Sequence, residues 1–146
     1  MGRVADILAL KGSRVHTVSK EATVFEALEE MVRHNAGSLL VMDGEAIAGI
    51  FTERDFLRRV ALEQRDPRIT RVREVMTEKL LCLDPERSIE ECMAVMTRER
   101  IRHLPILDNG KLAGLLSIGD LVKHVSDERE VEVRHLVNYV TGKYPA

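Results

Sequence analysis

The chain has 146 residues, of which 45% are hydrophobic, and a formal net charge of −2 at pH 7. This mixed, near-neutral composition argues against a protein that binds nucleic acid. With no Trp, three Phe and two Tyr, the chain also has few rings on which bases could stack. Its length allows one well-filled core, or two small halves that share one.

Other features of the sequence indicate where the protein is found. No apolar run approaches the ~20 residues of a membrane span, and the first residues lack the apolar core of a signal peptide. Cys82 and Cys92 occupy positions with a buried pattern, and their spacing fits neither a disulfide framework nor a zinc site. The scattered His residues lack ligand spacing, so no metal is expected. We therefore expect a soluble, cytoplasmic protein with no membrane partner.

One sequence pattern occurs twice along the chain. Residues 49–55 (GIFTERD) are matched by 114–120 (GLLSIGD). Each of these segments lies at the end of the second of two apolar runs that are joined by a Gly-containing turn. The lead-in segment 3–8 (RVADIL) is likewise matched by 71–76 (RVREVM). Because half of this chain would be marginal alone, the two copies are expected to pack together.

Each copy predicts a strand, a helix, two strands and a second helix. Thr23 with Glu26, and Ser88 with Glu91, form capping boxes before the first helices. Turns at 43–44 and 108–110 contain the Gly and Asn residues that tolerate positive φ in a hairpin. The other predicted elements are strands 15–18, 38–42 and 47–51 with helix 53–62 in the first copy, and strand 80–83 with helix 118–125 in the second.

These elements define the predicted domain boundaries. The first motif covers 3–62, a polar linker 63–70, the second motif 71–125 and a C-terminal tail 126–146. The linker is too short to separate two independent domains. The tail predicts a further helix that starts near 127–130 and closes the core or forms a dimer contact. Its apolar face is made of Val133, Leu136, Val137 and Val140.

Two hydroxyl and carboxylate pairs are candidate binding groups. Thr52 with Asp55, and Ser117 with Asp120, have the spacing of a capping box at a strand-to-helix corner. One interpretation is that each pair only caps its helix and complements the helix dipole. The other is that the carboxylate accepts hydrogen bonds from a ribose diol, while the hydroxyl and the helix N–H groups approach a phosphate.

A basic pair precedes the first of the two apolar runs that form the hairpin of the second copy. Arg102 offers a fixed fork of donors to phosphate, and His103 adds a donor or, when protonated, a charge. The alternative is an ordinary exposed pair, or a His103 that is satisfied in the core. The first copy has Gly37 and Ser38 at these positions, so the two copies are not expected to bind equally.

On these residues the chain resembles a tandem pair of cystathionine-β-synthase (CBS) domains, a Bateman module of the small stand-alone bacterial type. The resemblance covers 3–62 and 71–125. It implies an α+β fold of two βαββα motifs packed sheet to sheet with pseudo-two-fold symmetry, plus a C-terminal helix. It also implies a homodimeric sensor that binds adenosine-containing nucleotides in clefts between the paired motifs.

The resemblance implies ligand contacts in both copies. Thr17 and Val18 would flank an adenine in one motif, as would Cys82 and Leu83 in the other, although all four also fit an ordinary core strand. Arg54 could face a phosphate tail, or lie on a solvated helix face. The full implied set is Thr17, Val18, Ser38, Thr52, Arg54 and Asp55, together with Cys82, Leu83, Arg102, His103, Pro105, Ser117 and Asp120.

No sequence feature indicates catalysis. The chain lacks a Gly-rich phosphate loop, a Ser or Cys nucleophile beside a base, and paired carboxylates. We therefore expect a regulatory sensor that signals to a downstream protein through a ligand-dependent conformational change. Few basic residues favour AMP, then NAD, over ADP or ATP, and S-adenosylmethionine would leave Arg102 without an anion. The alternative is a protein-interaction adaptor with vestigial clefts.

Overall fold

The structure is a computed structural model that describes residues 2–12 and 14–128. It confirms the predicted mixed α+β fold, with two small sheets and helices packed on them. In chain order the elements are α1 (Val4–Lys11), β1 (Thr17–Ser19), α2 (Val24–His34), β2 (Ser38–Asp43), β3 (Ala46–Thr52), α3 (Glu53–Phe56), a π-helix (Leu57–Ala61), α4 (Val72–Val75), α5 (Ile89–Glu99), β4 (His103–Asp108), β5 (Lys111–Ser117) and α6 (Ile118–Glu128).

The described residues form two compact units. The central unit consists of residues 14–80, and the terminal unit consists of residues 2–12 and 81–128. These units differ from the sequence repeats at one point, which is the lead-in segment. Helix α1 lies at the start of the first repeat but belongs to the terminal unit, whereas α4 lies at the start of the second repeat and belongs to the central unit.

Backbone pairing fixes each lead-in segment in its unit. Arg3 forms an antiparallel bridge with Ser88, the residue that caps α5, and Thr23, which caps α2, forms one with Arg71. Val4 and Val72, the first residues of α1 and α4, are both fully buried in the cores of these units. The terminal unit is therefore completed by a helix from outside its continuous stretch 81–128, whereas the central unit is completed by the helix at its own C-terminal end.

The central unit contains a three-stranded sheet in the order β1-β2-β3. Strand β1 runs parallel to β2, and β2 runs antiparallel to β3 through the predicted hairpin turn. Helix α2 begins at the predicted capping box, in which Thr23 Oγ1 accepts a 3.1 Å hydrogen bond from Glu26 N. The fully buried residues of this core are Val24, Ala27, Leu39, Val41, Phe51, Val60, Val72 and Val75.

The terminal unit contains the equivalent hairpin of β4 and β5. Its turn uses Asn109 (φ 53°) and Gly110 (φ 80°), the left-handed conformations that the sequence predicts. Helix α5 begins at Ser88, whose Oγ accepts a 3.1 Å hydrogen bond from Glu91 N. The fully buried residues of this core are Val4, Ile89, Cys92, Leu104, Ile106 and Leu116.

The strand predicted at 80–83 is wrong, because only an isolated bridge forms between Leu83 and Ile106. In the central unit, β1 is bounded by two further hydrogen bonds, from Leu40 N to His16 O and from Lys20 N to Met42 O. The positions equivalent to these donors, 65 residues later, are Pro105 and Pro85. Since proline has no N–H, neither bond can form in the second copy, and its first strand is reduced to one bridge.

Several boundaries also differ from the sequence expectation. The helix predicted over 53–62 is divided into α3 and the π-helix, which is marked by the 3.1 Å bond from Leu62 N to Leu57 O. Helix α6 runs to Glu128, beyond the predicted end at 125, and the rest of the tail lies outside the described residues. Cys92 is buried as expected, but Cys82 is exposed, as is its equivalent Thr17 in β1.

Candidate ligand site

The candidate binding pairs lie where each hairpin passes into its following helix. Cross-strand register places Ser38 opposite Thr52 in the central unit and His103 opposite Ser117 in the terminal unit. Thr52 is the residue before α3, and Ser117 is the residue before α6. Each corner therefore combines the end of a strand with a helix N-terminus, as the sequence indicated.

In the terminal unit, Asp120 completes a capping arrangement and also binds a lysine. Its Oδ2 accepts hydrogen bonds from Ser117 N at 2.8 Å and from Lys11 Nζ at 2.6 Å. Its backbone N donates to Ser117 Oγ at 3.1 Å. Among the residues that the structure describes, none donates to Oδ1, and the side chain is 21% exposed. One carboxylate oxygen is therefore accessible to a hydroxyl from outside the protein.

The charge of Asp120 is stabilised by these donors. Burial by itself raises the pKa of Asp120, but the hydrogen bonds from Lys11 and Ser117 outweigh it and hold the pKa below its ordinary value. The carboxyl group is consequently ionised at neutral pH and can act only as an acceptor.

Arg102 immediately precedes β4, and His103, the first residue of β4, lies close enough to Asp120 for their charges to interact. The carbonyl of Arg102 accepts a 2.9 Å bond from Ile118 N, while its exposed guanidinium makes no hydrogen bond or ion pair with the described part of the chain. Burial, followed by the nearby charge of Lys11, lowers the pKa of His103 despite the opposing effect of Asp120. The imidazole is therefore neutral at pH 7 and offers one N–H donor.

We call Lys11, Arg102, His103, Ser117 and Asp120 the Asp120 cluster. The resemblance placed Cys82 and Leu83 against an adenine and included Pro105 in the wider ligand set. Leu83 N donates to the carbonyl of buried Pro105 at 3.1 Å, and Leu83 O accepts from Leu107 N at 2.9 Å. Cys82 is exposed immediately before Leu83. The side of β4 near Leu83 thus has apolar groups together with an accessible thiol.

The corresponding carboxylate of the central unit is more enclosed. Asp55 is 7% exposed. Its Oδ2 accepts from Thr52 N at 3.0 Å and from Thr52 Oγ1 at 3.1 Å, and its Oδ1 accepts from Thr77 Oγ1 at 3.0 Å. Asp55 N also donates to Thr52 Oγ1 at 3.1 Å. Both carboxylate oxygens of Asp55 therefore have protein donors, unlike those of Asp120.

The other predicted residues of the central unit are distributed around this corner. Ser38 is 7% exposed at the start of β2. In β1, Thr17 is exposed and Val18 is partly buried against the core. Arg54 is exposed in the first turn of α3. This corner has no equivalent of Arg102 and His103, since residues 37 and 38 are Gly and Ser.

Sequence reasoning missed Lys11 and Thr77, which reach the two carboxylates from the lead-in segments. The repeat of these segments was visible, but it aligns Lys11 with Lys79 and Thr77 with Ala9. The two contacts are therefore not equivalent by sequence. Only the packing of α1 in the terminal unit, and of α4 in the central unit, brings Lys11 to Asp120 and Thr77 to Asp55.

The described residues lack two other kinds of feature. Residues 2–12 and 14–128 contain no group of three or more His, Cys, Asp or Glu side chains that could hold a metal ion. Over the same ranges, no helix has both the length and the apolar character needed to cross a bilayer.

Comparison with known proteins agrees with this repeated architecture. The CBS domain family model matches residues 4–62 and again residues 72–127. The chain belongs to the CBS-domain family. CBS-domain proteins are commonly regulatory modules that bind adenosyl ligands, and the two matches correspond to the two sequence repeats.

Individual relatives cover most of the chain. The mitochondrial CBS domain-containing protein CBSX3 of Arabidopsis thaliana is 35% identical over 150 residues, covering 97% of this chain and 73% of that protein. YhcV of Bacillus subtilis is 37% identical over 117 residues, covering 80% of this chain and 83% of its own. A CBS-domain protein structure from Burkholderia ambifaria is 51% identical with a TM-score of 0.81, covering 84% and 93% of the two chains.

Proposed function

We propose that the protein is a regulatory sensor that binds an adenine nucleotide, with AMP preferred and NAD second, and that it has no catalytic activity. The observation that carries this proposal is the Asp120 cluster. It combines an ionised carboxylate that has an accessible oxygen with a guanidinium that makes no bond to the described residues. A nucleoside monophosphate has the two groups that complement these, a ribose diol and a phosphate.

Each part of the nucleotide would meet a different group. The ribose hydroxyls would donate to Asp120 Oδ1, and the phosphate would accept from Arg102, His103 and Gly119 N, since Ile118 N and Asp120 N already donate to Arg102 O and Ser117 Oγ. Cys82, Leu83 and Pro105 would contact the adenine. The number of cationic groups limits the phosphate charge that the cluster can neutralise, which favours AMP and NAD over ADP and ATP.

The central unit would provide a second, weaker site. There Thr52 and Asp55 would contact the ribose, Thr17, Val18 and Ser38 would flank the base, and Arg54 would approach the phosphate. Because Thr52 and Thr77 already donate to both oxygens of Asp55, a ligand must use their remaining lone pairs or displace a donor. We therefore propose that the site in the terminal unit binds nucleotide at a lower concentration than the site in the central unit.

Signalling requires a difference in affinity between two conformations. A nucleotide shifts an equilibrium only as far as it binds one state more tightly than the other. We propose that this change is transmitted by a cytoplasmic homodimer to a downstream protein. The family supports a regulatory role, and the Burkholderia relative is described as a candidate signal-transduction protein.

Isothermal titration calorimetry with AMP, NAD, ADP, ATP and S-adenosylmethionine tests the proposal. We expect heat of binding with AMP and NAD, and a loss of about tenfold or more in affinity for Asp120→Asn, since a charged hydrogen-bond acceptor is removed. Asp108→Asn is the matched control, because Asp108 is exposed at the β4–β5 turn and should leave affinity unchanged.

The outcomes distinguish a sensor, in which Asp120 binds ligand, from a protein in which Asp120 only caps a helix. If Asp120 only caps α6, its replacement costs about 0.5–2 kcal/mol of stability and leaves affinity intact. The absence of heat from every nucleotide at millimolar concentration would refute the sensor and favour the adaptor alternative. Turnover of any of these nucleotides by the purified protein would refute the non-catalytic part.

A further inference from the structure

Lys11 is the one member of the Asp120 cluster that comes from the lead-in helix. Its ammonium donates to Asp120 Oδ2 at 2.6 Å and to the carbonyl of Leu115 at 2.6 Å. An ammonium group has three donors, so one remains after these two bonds, and the side chain is 34% exposed. The carbonyl of Leu115 fixes the ammonium in the space between β5 and the first turn of α6.

This position changes the charge that a ligand would meet. Asp120 alone would repel a phosphate near the same corner, whereas a neutral hydroxyl would be unaffected. The positive charge of Lys11 offsets the charge of Asp120, which leaves the Arg102 guanidinium as the net charge of the cluster while His103 is neutral. Without Lys11 the same groups would have no net charge.

Lys11 does not use the whole acceptor capacity of Asp120. It binds Oδ2 together with Ser117 N, while no described residue donates to Oδ1. A ribose diol can therefore bind without displacing Lys11, and the third N–H of the ammonium can turn toward an anion. The lysine thus compensates charge without closing the site.

We propose that Lys11 determines the ligand class of this site, selecting phosphorylated adenosine nucleotides over adenosine. The inference rests on the proposed function and extends it, because it assigns discrimination between a charged ligand and its uncharged counterpart to a residue outside the second repeat. In this arrangement Arg102 contacts the phosphate, whereas Lys11 offsets the negative charge of Asp120 that would otherwise repel it.

The experiment compares AMP with adenosine by calorimetry for the wild-type protein, Lys11→Met and Lys11→Arg. We expect Lys11→Met to lower the affinity for AMP about tenfold and to change the affinity for adenosine less than about threefold. Lys11→Arg should keep most of the affinity for AMP. Raising the salt concentration should weaken AMP more than adenosine in the wild-type protein, and this difference should shrink in Lys11→Met.

Lys20→Met is the matched control. Lys20 is also 34% exposed and pairs with a carboxylate, Asp43, at 3.0 Å, but it lies in the central unit. Its replacement should leave the affinities for AMP and for adenosine unchanged. If Lys11→Met does not fold, Lys11→Gln and the salt dependence of the wild-type protein test the same discrimination.

The possible failures are distinguishable. Equal weakening of AMP and adenosine in Lys11→Met would mean that Lys11 only positions Asp120, which overturns this inference and leaves the sensor intact. Unchanged AMP affinity in Lys11→Met would overturn it as well. No binding of either ligand by the wild-type protein would refute the proposed function itself.

Discussion

Lys11 Nζ lies 2.6 Å from Asp120 Oδ2, although 109 residues separate them in the sequence. The contact exists because α1, which begins the first repeat, packs in the terminal unit with the second repeat. It joins the end of the lead-in helix to the start of α6, where we propose that a nucleotide binds. A change at one end of this ion pair therefore acts on both the stability of the unit and its ligand site.

The Lys11–Asp120 pair predicts a stability difference that depends on pH. Lys11→Met should lower the free energy of unfolding by about 1 kcal/mol at neutral pH, a modest value because the pair is partly exposed to solvent. The pKa of Asp120 is lowered in the folded protein, so its stabilising contribution is present above the unfolded carboxyl pKa of about 4 and is lost as the pH falls.

The deficit of Lys11→Met should therefore shrink in acid, as the pH falls below the unfolded carboxyl pKa and through the lowered pKa of Asp120. Urea unfolding of the two proteins at neutral pH and at about pH 3 measures the difference. A deficit that stays constant with pH would contradict the role given to the ion pair.

The Thr77–Asp55 bond predicts a cost at the other corner. Thr77→Val removes the hydroxyl that donates to Asp55 Oδ1 at 3.0 Å and leaves a 7% exposed carboxylate with one donor fewer. We expect a loss of about 1–3 kcal/mol in the free energy of unfolding. Thr97→Val, at an exposed position of α5, is the control. Equal denaturant midpoints for the two variants would show that the bond contributes nothing.

Local patterns predicted most of the fold because its signals are short-range. A capping box needs residues three apart, and a hairpin turn needs two or three residues that accept positive φ, so Thr23, Ser88 and Asn109 were identifiable. The same holds for the candidate site, where the pairs at Thr52 and Ser117 follow from spacing alone.

Long-range packing decided what the sequence could not predict. The pattern at 80–83 suits a strand, but the partner position is Pro105, which has no N–H to donate. The exchange of the lead-in helices depends on burying Val4 and Val72 in cores made by other segments. Lys11 was therefore missed as the counter-ion of Asp120, because no local signal connects them.

The two cysteines should differ sharply in reactivity. Cys82 is exposed, whereas Cys92 is fully buried, and burial, with the neighbouring charge of Glu91, raises the pKa of Cys92 to about 11. Because the thiolate is the nucleophile, iodoacetamide should alkylate Cys82 in the folded protein and Cys92 only after unfolding. Peptide mass spectrometry identifies the modified residue, and Cys82→Ser should give an unlabelled native protein. Alkylation of Cys92 without denaturant would contradict the burial of α5.

The equivalent glycines of β3 and β5 predict an unequal response to the same substitution. A Cβ at Gly49 would lie 2.6 Å from the backbone oxygen of Thr77, whereas a Cβ at Gly114 would lie 2.7 Å from Cδ2 of Leu8, the far end of a side chain. Thr77 cannot move easily, because its N and O are both hydrogen-bonded to Ile50 at 2.8 and 2.9 Å. The leucine can change its rotamer.

We therefore expect Gly49→Ala to lower the free energy of unfolding by about 1–3 kcal/mol, and Gly114→Ala to cost less than about 1 kcal/mol. The loss of conformational freedom in the unfolded chain is the same for both changes, so it cancels in the comparison. Guanidinium unfolding of the two variants under identical conditions measures the difference. Equal destabilisation would mean that the backbone at Thr77 moves as easily as the Leu8 side chain. The backbone pairing between Ile50 and Thr77 would then not hold the lead-in segment in place.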